Sequence, residues 1–334
     1  MDERYNNGLV LGKFMPPQTG HVYLINTAAA QCVNLYVMIC SDDTQPIAGE
    51  LRYKWLCEIF KGRENIHIIW CTDPNPQYPE DCESVDIFYN KYWVPSVHKC
   101  IDKLGVIFTS EEYGDEFARY LGVEHVKVDQ PRSHYAISAT DIRANPFHNW
   151  QYIPKEVRPY FKKRIAIMGP ESTDKSMLSE RLAEHFETAY VKEYGRTYVA
   201  ITGTANPTMN DFENIVVGHD LCVSLVPNTK TLFIDTEAIT TKVFADMYLG
   251  DCNSDIIEGH IKAQEFDLYL LLDIDVPWVD DGTRDFPNSR ESHLKALKSE
   301  LESRGIKYVL IGGDYEQRFK KAIQEVENLF LVKK

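Results

Sequence analysis

Short apolar runs alternate with longer segments of helical pattern through the first half of the chain. The run Gly8–Gly12 leads into a turn rich in proline and glycine, and a helical pattern then extends from His21 to about Val33. Runs of this length separated by helices are typical of a parallel sheet, because each parallel strand needs a crossover connection. The other strand-length runs of this half are Leu35–Cys40, Ile66–Trp70, Val106–Thr109 and His125–Val128.

The second half repeats this order of runs and helical segments, although no sequence repeat links the halves. Between them, residues 146–164 carry three prolines, which break helices, and a basic end that leads into the next run. We therefore predict an α/β protein with two parallel-sheet domains, at residues 1–150 and 164–334, joined by a linker at 151–163. The strand-length runs of the second half are Arg164–Met168, Thr231–Asp235, Leu268–Asp273 and Lys307–Ile311.

Length and composition narrow the class of protein. The 334 residues are 44% apolar and 26% charged, as in a soluble globular protein with room for two cores. The formal net charge of −14 argues against a nucleic-acid partner, because a phosphate backbone needs a basic surface. No apolar run reaches the ~20 residues of a membrane span, and the N-terminus lacks the apolar core of a secretion signal. We expect a cytoplasmic protein with small-molecule substrates and no membrane partner.

The eight cysteines form no C-x-x-C pair, so reduced thiols are expected rather than a zinc site. The sequence does not decide between a monomer and a homo-oligomer.

The segment G-K-F-M-P-P-Q-T-G-H, residues 12–21, connects an apolar run to a helix. Gly12 lets a ligand approach the backbone closely, and Gly20 permits a sharp turn. His21 then lies in the first helical turn, where free N–H groups and the helix dipole favour a phosphate. By itself such a segment is more often an ordinary turn between a strand and a helix.

A second helix start, I-S-A-T-D-I-R at residues 137–143, supplies the hydroxyls of Ser138 and Thr140 and the cation of Arg143. By itself it reads as a helix cap. Together, the two helix starts would hold a triphosphate from two sides, and the pair is much more specific than either part.

The string G-P-E-S-T-D-K-S, residues 169–176, stands between an apolar run and a helical segment, which is the context of a phosphate-binding P-loop. Lys175 would reach the β- and γ-phosphates of ATP, and the Ser176 hydroxyl would ligate Mg²⁺. The run T-L-F-I-D ends at Asp235, which is placed to be the acidic partner of the metal. A chance match to the motif normally lacks this second strand and acid.

The first motif pair resembles the G-x-F-x-P-x-H-x-G-H and I-S-x-T-x-x-R signatures of the nucleotidyltransferase superfamily. More narrowly, G-K-F-M-P-P-x-T-G-H-V-Y-L-I and V-D-Q-P-R-S-H-Y-A-I-S-A-T-D-I-R resemble the NadR-type nicotinamide mononucleotide adenylyltransferases. The resemblance implies a Rossmann-like nucleotidyltransferase domain in which the mononucleotide phosphate attacks the α-phosphorus of ATP, pyrophosphate leaves and NAD forms. Catalysis there depends on positioning and charge stabilisation.

The resemblance also implies roles for residues of the first half. His21 is expected to bind the transferring phosphate, while Ser138, Thr140 and Arg143 hold the β- and γ-phosphates. Trp93 is expected either to stack on the nicotinamide ring or to be an ordinary half-buried anchor. The other implied contacts are with ATP at Gly12, Lys13, Phe14, Gln18 and Gly20, and with the substrate at Arg52.

The second half resembles the ribosylnicotinamide kinase domain of the same family, which is a P-loop kinase domain. The matching strings are V-K-E-Y-G-R-T-Y-V at 191–199, F-I-D-T-E-A-I-T-T at 233–241 and W-V-D-D-G-T-R at 278–284. In this family the 5′-hydroxyl of nicotinamide riboside receives the γ-phosphate of ATP, with Mg²⁺ as the default metal.

Glu193 is then expected to hold the ribose or to accept the proton of its hydroxyl, with Asp235 as the alternative acceptor. Arg284 and Arg290 are expected to close over the phosphates as cations of a lid. The substrate pocket is expected to include Tyr194, Arg196 and Trp278, and the ATP contacts to include Gly169, Glu171, Ser172, Thr173, Asp174, Lys175 and Ser176.

Two residues depart from the family pattern. Gln18 stands where the family has its first histidine; an amide donates a hydrogen bond but carries no charge, so a slowed adenylyl transfer is expected. Asp174 replaces the glycine before the P-loop lysine, and its repulsion of a phosphate is ~1 kcal/mol in water and ~4 kcal/mol at an effective dielectric of 20.

A bifunctional NAD salvage enzyme is the leading interpretation. The alternatives are an adenylyltransferase with a silenced kinase domain and a nucleotide sensor without turnover. Some members of the family carry an N-terminal helix-turn-helix repressor domain. Because the first apolar run begins almost at once, no such domain is expected here.

Overall fold

The structure is a computed structural model that describes residues 4–131, 133–226, 229–250, 253–279 and 289–330. The chain divides after Tyr160 into two compact units, called here the first unit and the second unit. The division falls inside the segment that the sequence assigns to the linker. Across the described stretches, none of the helices has the length and apolar character needed to span a bilayer.

The first unit alternates strands and helices in chain order. Its strands are β1 (Tyr5–Gly12), β2 (Cys32–Cys40), β3 (Ile66–Cys71), β4 (Val106–Thr109) and β5 (Glu124–Lys127). Its helices are α1 (Thr19–Ala30), α2 (Gly49–Ile59), α3 (Val85–Ile87), α4 (Val94–Cys100), α5 (Tyr113–Leu121), α6 (Ala139–Ala144) and α7 (Arg158–Phe161). The last of these helices ends one residue beyond the division between the units. A π-helical segment, Phe88–Trp93, joins α3 to α4.

The second unit follows the same plan. Its strands are β6 (Lys163–Met168), β7 (Ala189–Val191), β8 (Thr231–Asp235), β9 (Leu268–Leu272) and β10 (Val309–Ile311), and its helices are α8 (Lys175–His185), α9 (Tyr194–Thr202), α10 (Met209–Leu225), α11 (Ala238–Leu249), α12 (Asp255–Ala263), α13 (Arg290–Ser303) and α14 (Tyr315–Asn328).

Each unit is built on a parallel sheet. In both sheets, the strand order reverses at the unit's first strand in the chain. Among the described residues the strand orders are β3-β2-β1-β4-β5 and β10-β9-β6-β8-β7. The chain therefore moves to one side of β1 and later to the other, and β6 is likewise flanked by β8 and β9. Ligands of open α/β sheets bind at the carboxyl ends of strands where the order reverses, and the loops after β1 and β6 lie there.

Helices cover both faces of each sheet, because successive strand side chains point to opposite faces. On one face of the first sheet, Val10 and Val37 pack with Ile25 of α1. On the other, Leu9 and Met38 pack in a cluster with residues of α4 and α5. The second sheet has clusters of the same kind on its two faces. This packing fixes the strand ends that carry the two candidate sites.

The structure confirms the predicted fold class. The helix predicted from His21 to about Val33 is wrong at its end: α1 stops at Ala30, because β2 already begins at Cys32. The strand β7 was not predicted, since its three residues, Ala189–Val191, are too few to show a pattern. The last strand is shorter than its apolar run and begins at Val309.

Candidate active sites

A cavity of about 600 Å³ opens at the carboxyl ends of β1 and β4 in the first unit. Its volume lies within the usual range for a small-molecule site. Both motifs of the first half contribute to its wall, although more than a hundred residues separate them in the chain. The expected site residues that line it are Gly12, Lys13, Phe14, Gln18, Gly20, His21, Trp93, Ser138, Thr140 and Arg143.

Gln18 caps the N-terminus of α1. Its Oε1 accepts the Gly20 N–H at 2.5 Å, and its backbone N–H donates to His21 Nδ1 at 3.2 Å. Because Nδ1 accepts this bond, the proton of the neutral imidazole lies on Nε2. The Phe14 ring and the imidazole pack in a T-shaped arrangement, with ring centroids 5.1 Å apart. The ring of His21 is thus held at a helix start in the cavity wall.

Gln18 and Arg143 join the two motifs of the first site. The Gln18 Nε2 donates to the Ile137 carbonyl at 3.4 Å. The Arg143 guanidinium donates to the Met15 carbonyl and to Thr140 Oγ1, the latter at 3.0 Å. A cation and a helix N-terminus therefore meet in one cavity, which is an arrangement suited to a polyphosphate.

Ser138 caps the second helix start. Its hydroxyl accepts the Asp141 N–H at 3.0 Å and donates to the Asp141 carboxylate at 2.6 Å. The hydroxyl is thereby committed to the cap of α6, which orients the turn that carries Thr140 and Arg143.

Arg52 lies outside the cavity wall, and its side chain is fully buried. Its guanidinium donates to the Lys13 carbonyl at 2.7 Å, the Cys40 carbonyl at 3.3 Å and Gln45 Oε1 at 2.6 Å. Burial lowers the pKa of Arg52. The structure therefore places Arg52 beneath the loop after β1, where it holds that loop from below. Lys13 itself lines the cavity.

Trp93 is a buried anchor that also lines the cavity, and its stacking on the nicotinamide ring stays a prediction. Its side chain is buried and its indole N–H donates to the Pro76 carbonyl at 3.0 Å, while it also forms part of the cavity wall. Its aromatic neighbours in the wall include Phe88 and Tyr113. The Tyr113 hydroxyl donates to the Leu11 carbonyl at 3.0 Å, and burial raises its pKa. Sequence reasoning missed these aromatic residues because they follow no motif.

A hydrogen-bonded chain supports the cavity wall at the end of β4. Thr109 Oγ1 lies 2.9 Å from His125 Nε2, and His125 Nδ1 lies 2.8 Å from the Asp115 carboxylate. Gly114 leaves the necessary space, since a Cβ there would lie 2.3 Å from the His125 ring. No pattern in the sequence indicated this chain.

In the second unit, the P-loop connects β6 to α8. Ser172 and Asp174 adopt left-handed backbone conformations, with φ of 57° and 71°. Lys175 Nζ donates to the Pro170 carbonyl at 3.0 Å, and Thr173 Oγ1 donates to the same carbonyl at 2.7 Å. Within the described residues, no ion pair joins Asp174 to Lys175.

Asp235 lies beside the P-loop because Ile167 and Asp235 are register partners at the carboxyl ends of β6 and β8. The Asp235 carboxyl is fully buried and accepts a 2.5 Å hydrogen bond from Ser176 Oγ. Burial, followed by the negative charge of Glu193, raises the pKa of Asp235 to about 6, against the opposing effects of Lys175 and Ser176. Hydroxyl and carboxylate oxygens are the ligands that Mg²⁺ prefers, so this pair fits the predicted metal site.

Of the remaining predicted residues, Glu193 and Arg196 lie close enough to this acid for their charges to act on its pKa. Glu193 stands at the N-cap of α9 and accepts a 2.9 Å hydrogen bond from Arg196 Nε. The Tyr194 ring packs so closely on α10 that a Cβ on Gly218 would lie 2.2 Å from it. Trp278 precedes Val279, whose N–H donates to Ser172 Oγ at 2.7 Å.

The two predicted lid arginines have different outcomes. Arg284 lies outside the described residues. Arg290 donates to the carbonyls of Val276 and Ser172, at 2.9 and 3.3 Å, so it contacts the P-loop backbone. Sequence reasoning missed Arg318 of α14, which is 2% exposed and donates to the Thr173 carbonyl at 2.9 Å. An arginine in an amphipathic helix gives no signal of such burial.

These two loops, each at the reversal point of a parallel sheet, define the chain as an enzyme that joins a Rossmann-like nucleotidyltransferase domain to a P-loop kinase domain. A family model described as an AAA domain matches residues 164–318. The "Trifunctional NAD biosynthesis/regulator protein NadR" of Escherichia coli (strain K12) is 34% identical over 349 aligned residues, covering 96% of this chain and 83% of that protein. The protein of the same name from Salmonella typhimurium (strain LT2) is 33% identical, covering 97% and 83%.

Two solved structures share the fold. A NadR protein in complex with NR has a TM-score of 0.79 at 24% identity, covering 99% of this chain and 98% of that one. A NadR protein in complex with NAD and AMP-PNP has a TM-score of 0.76 at 24% identity, covering 99% and 97%. The chain belongs to the NadR family, and the resemblance stated from its motifs is confirmed.

Proposed function

We propose that this chain carries out two successive steps of NAD salvage. The second unit phosphorylates nicotinamide riboside with ATP to give nicotinamide mononucleotide and ADP. The first unit then transfers AMP from a second ATP to the mononucleotide, giving NAD and pyrophosphate. The observation that carries the proposal is that a helix start suited to phosphate lies where the strand order reverses in each sheet. The cation of Arg143 accompanies it in the first unit, and the buried acid Asp235 accompanies it in the second. The names of the relatives agree with it.

In the first unit, an oxygen of the mononucleotide phosphate attacks the α-phosphorus of ATP, and the bond from that phosphorus to the oxygen bridging to the β-phosphorus breaks. His21, with its proton on Nε2, donates to the phosphoryl group that is transferred. Arg143 and the N-terminus of α1 stabilise the charge that develops on the leaving pyrophosphate. The aromatic wall around Trp93 holds the nicotinamide ring. Most of the rate enhancement then comes from positioning.

In the second unit, the 5′-hydroxyl oxygen attacks the γ-phosphorus of ATP, ADP leaves, and the hydroxyl proton passes to a carboxylate. We assign the proton to Glu193, because Asp235 would be committed with Ser176 to the metal. Asp235 and Ser176 would hold Mg²⁺, which neutralises charge between the β- and γ-phosphates when bound. Lys175 leaves the Pro170 carbonyl to reach the phosphates.

We propose that the backbone conformation required of Asp174 does not silence the kinase. Aspartate tolerates the left-handed conformation better than most residues, and the P-loop of this chain already contains it in that conformation.

The proposed partners of the chain are nicotinamide riboside, nicotinamide mononucleotide and ATP, and the proposed location is the cytoplasm. A nucleic-acid partner is not part of the proposal.

The test gives the full chain Mg-ATP with either nicotinamide riboside or nicotinamide mononucleotide and separates the products by chromatography. NAD should form from both substrates. Lys175→Met should stop conversion of the riboside while sparing NAD formation from the mononucleotide, and His21→Ala should leave mononucleotide accumulating from the riboside. NAD from the mononucleotide alone would reduce the protein to an adenylyltransferase with a silent kinase domain. Binding of ATP without any product would overturn the proposal in favour of a nucleotide sensor.

A further inference from the structure

Two arginines from different helices donate to consecutive carbonyl groups of the P-loop. Arg290, at the start of α13, donates through Nη2 to the Ser172 carbonyl at 3.3 Å. Arg318, in the first turns of α14, donates through Nη1 to the Thr173 carbonyl at 2.9 Å. The chain places these residues more than a hundred positions after the loop, and the fold brings both to it.

These contacts determine where the next N–H groups point. In a trans peptide the carbonyl and the N–H of the following residue lie on opposite sides of the backbone. A guanidinium on the Ser172 carbonyl therefore directs the Thr173 N–H away from it, and one on the Thr173 carbonyl does the same for the Asp174 N–H. The left-handed conformations at Ser172 and Asp174 are of the kind that turns successive N–H groups into a concave anion-binding nest.

Arg318 is itself rigidly held. Besides the Thr173 carbonyl, its guanidinium donates to the Gly313 carbonyl and to the Asp273 carbonyl, both at 2.9 Å, and to the Asp275 carboxylate. It therefore ties the P-loop to the segments that follow β9 and β10. Arg290 has a second anchor in the Val276 carbonyl at 2.9 Å. Each arginine therefore has anchors outside the loop that hold its side chain in place.

We propose that Arg290 and Arg318 are positioning residues, which hold the peptide groups of Thr173 and Asp174 with their N–H groups toward the phosphates of ATP. This rests on the proposed kinase function of the second unit. The proposal also explains how aspartate is accommodated where glycine is usual. An L-residue is driven out of the left-handed region, and the bond from Arg318 to the preceding carbonyl keeps the peptide in place against that tendency.

The test compares Arg318→Lys, Asp174→Gly and the double variant in phosphorylation of nicotinamide riboside. Lysine keeps the charge but loses the fork that reaches several carbonyls. Arg318→Lys should raise the KM for ATP roughly tenfold, as expected for losing a charge-assisted hydrogen bond, without changing the KM for the riboside. Asp174→Gly should recover most of that loss in the double variant, because glycine adopts the left-handed conformation without strain.

Arg304→Lys is the matched control. Arg304 belongs to the same unit, but its guanidinium bonds the carboxylates of Glu258 and Glu300. The control should lower thermal stability without raising the KM for ATP, and adenylyl transfer by the first unit should stay unchanged in every variant. If Arg318→Lys unfolds the second unit, Arg290→Lys replaces it in the same comparison.

Two outcomes would overturn the proposal. One is an unchanged KM for ATP in a folded Arg318→Lys or Arg290→Lys variant. The other is a double variant in which the effects of Arg318→Lys and Asp174→Gly on the KM for ATP are strictly additive in free energy. A glycine in the loop could not rescue an arginine whose role is merely structural. If the wild-type chain fails to phosphorylate the riboside, the proposed function fails, and the loop is tested separately. Binding of a fluorescent ATP analogue, measured with Arg143→Ala weakening the first site, should still fall roughly tenfold with Arg318→Lys.

Discussion

Replacing His293 with leucine should remove a large part of the pH dependence of the stability of the second unit. His293 lies on α13, is 2% exposed, and packs edge-on against Phe244 with ring centroids 4.7 Å apart. Its Nε2 has no hydrogen-bond partner in the part of the chain that the structure describes. Burial, followed by the positive charge of Lys175, lowers the pKa of His293 to about 3.

The magnitude follows from the difference between the folded and unfolded states. In the unfolded chain the imidazole takes up a proton near pH 6.5, whereas in the folded unit it does so only near 3. Between these values the unfolded state binds more protons, so the free energy of unfolding decreases as pH falls, by about 1.4 kcal/mol per unit below 6.5. The part of the free energy of unfolding that depends on a neutral His293 is fully present above pH 6.5. About 2 kcal/mol of it is lost by about pH 5.

The measurement is a urea unfolding curve of the full chain at about pH 5 and about pH 7.5. Hydrogen-exchange pulses at one common pH, read on peptides from residues 290–303, report on the second unit. The wild type should lose about 2 kcal/mol more than His293→Leu on acidification. His185→Gln is the control, since His185 is exposed on α8 and should leave the wild-type slope unchanged. Equal losses for the wild type and His293→Leu would show that His293 does not stay neutral in the folded unit.

Three further changes probe the first unit. Gln18→His should raise the kcat of adenylyl transfer up to roughly tenfold, because it restores a chargeable donor at the start of α1; steady-state NAD formation measures it, and a lower kcat would show that the cap matters more than the charge. Arg52→Met should cost the first unit about 3 kcal/mol by leaving the Lys13 carbonyl without its donor, with riboside phosphorylation retained; an unchanged melting temperature would refute this. Gly114→Ala should lower the free energy of unfolding of the first unit by roughly 1–3 kcal/mol, because the new Cβ would meet the His125 ring. Thermal unfolding measures this loss, and a variant as stable as the wild type would count against that contact.

Much of the fold could be predicted because its sheets are buried on both faces. A strand covered on both faces is continuously apolar, as β9 is in Leu268–Leu272, and such runs stand out between helices. The strand β7 escaped because three residues carry no period. The end of α1 was predicted too late, since Gln31 is a residue that helices readily contain, and Cys32 and Val33 continue the apolar pattern.

The positions of the two sites could also be predicted, because glycines and helix starts leave a local signature. The residues that support those loops could not. Arg52 and Arg318 act on backbone carbonyls, and any residue offers a carbonyl, so no partner side chain identifies the contact in the sequence. Gln18 illustrates a partial prediction: the missing charge was visible, but its bonds to Gly20 and Ile137 depend on the fold.

The tryptophans are distributed so that each candidate site has its own label. The chain has five of them; Trp93 lines the cavity of the first unit, and Trp278 adjoins the residue that bonds Ser172 of the P-loop. A protein grown with 5-fluorotryptophan would therefore report each ATP site through a separate fluorine resonance. Occupancy of one site could then be followed while the other turns over, although both take the same nucleotide and bulk binding measurements add them together.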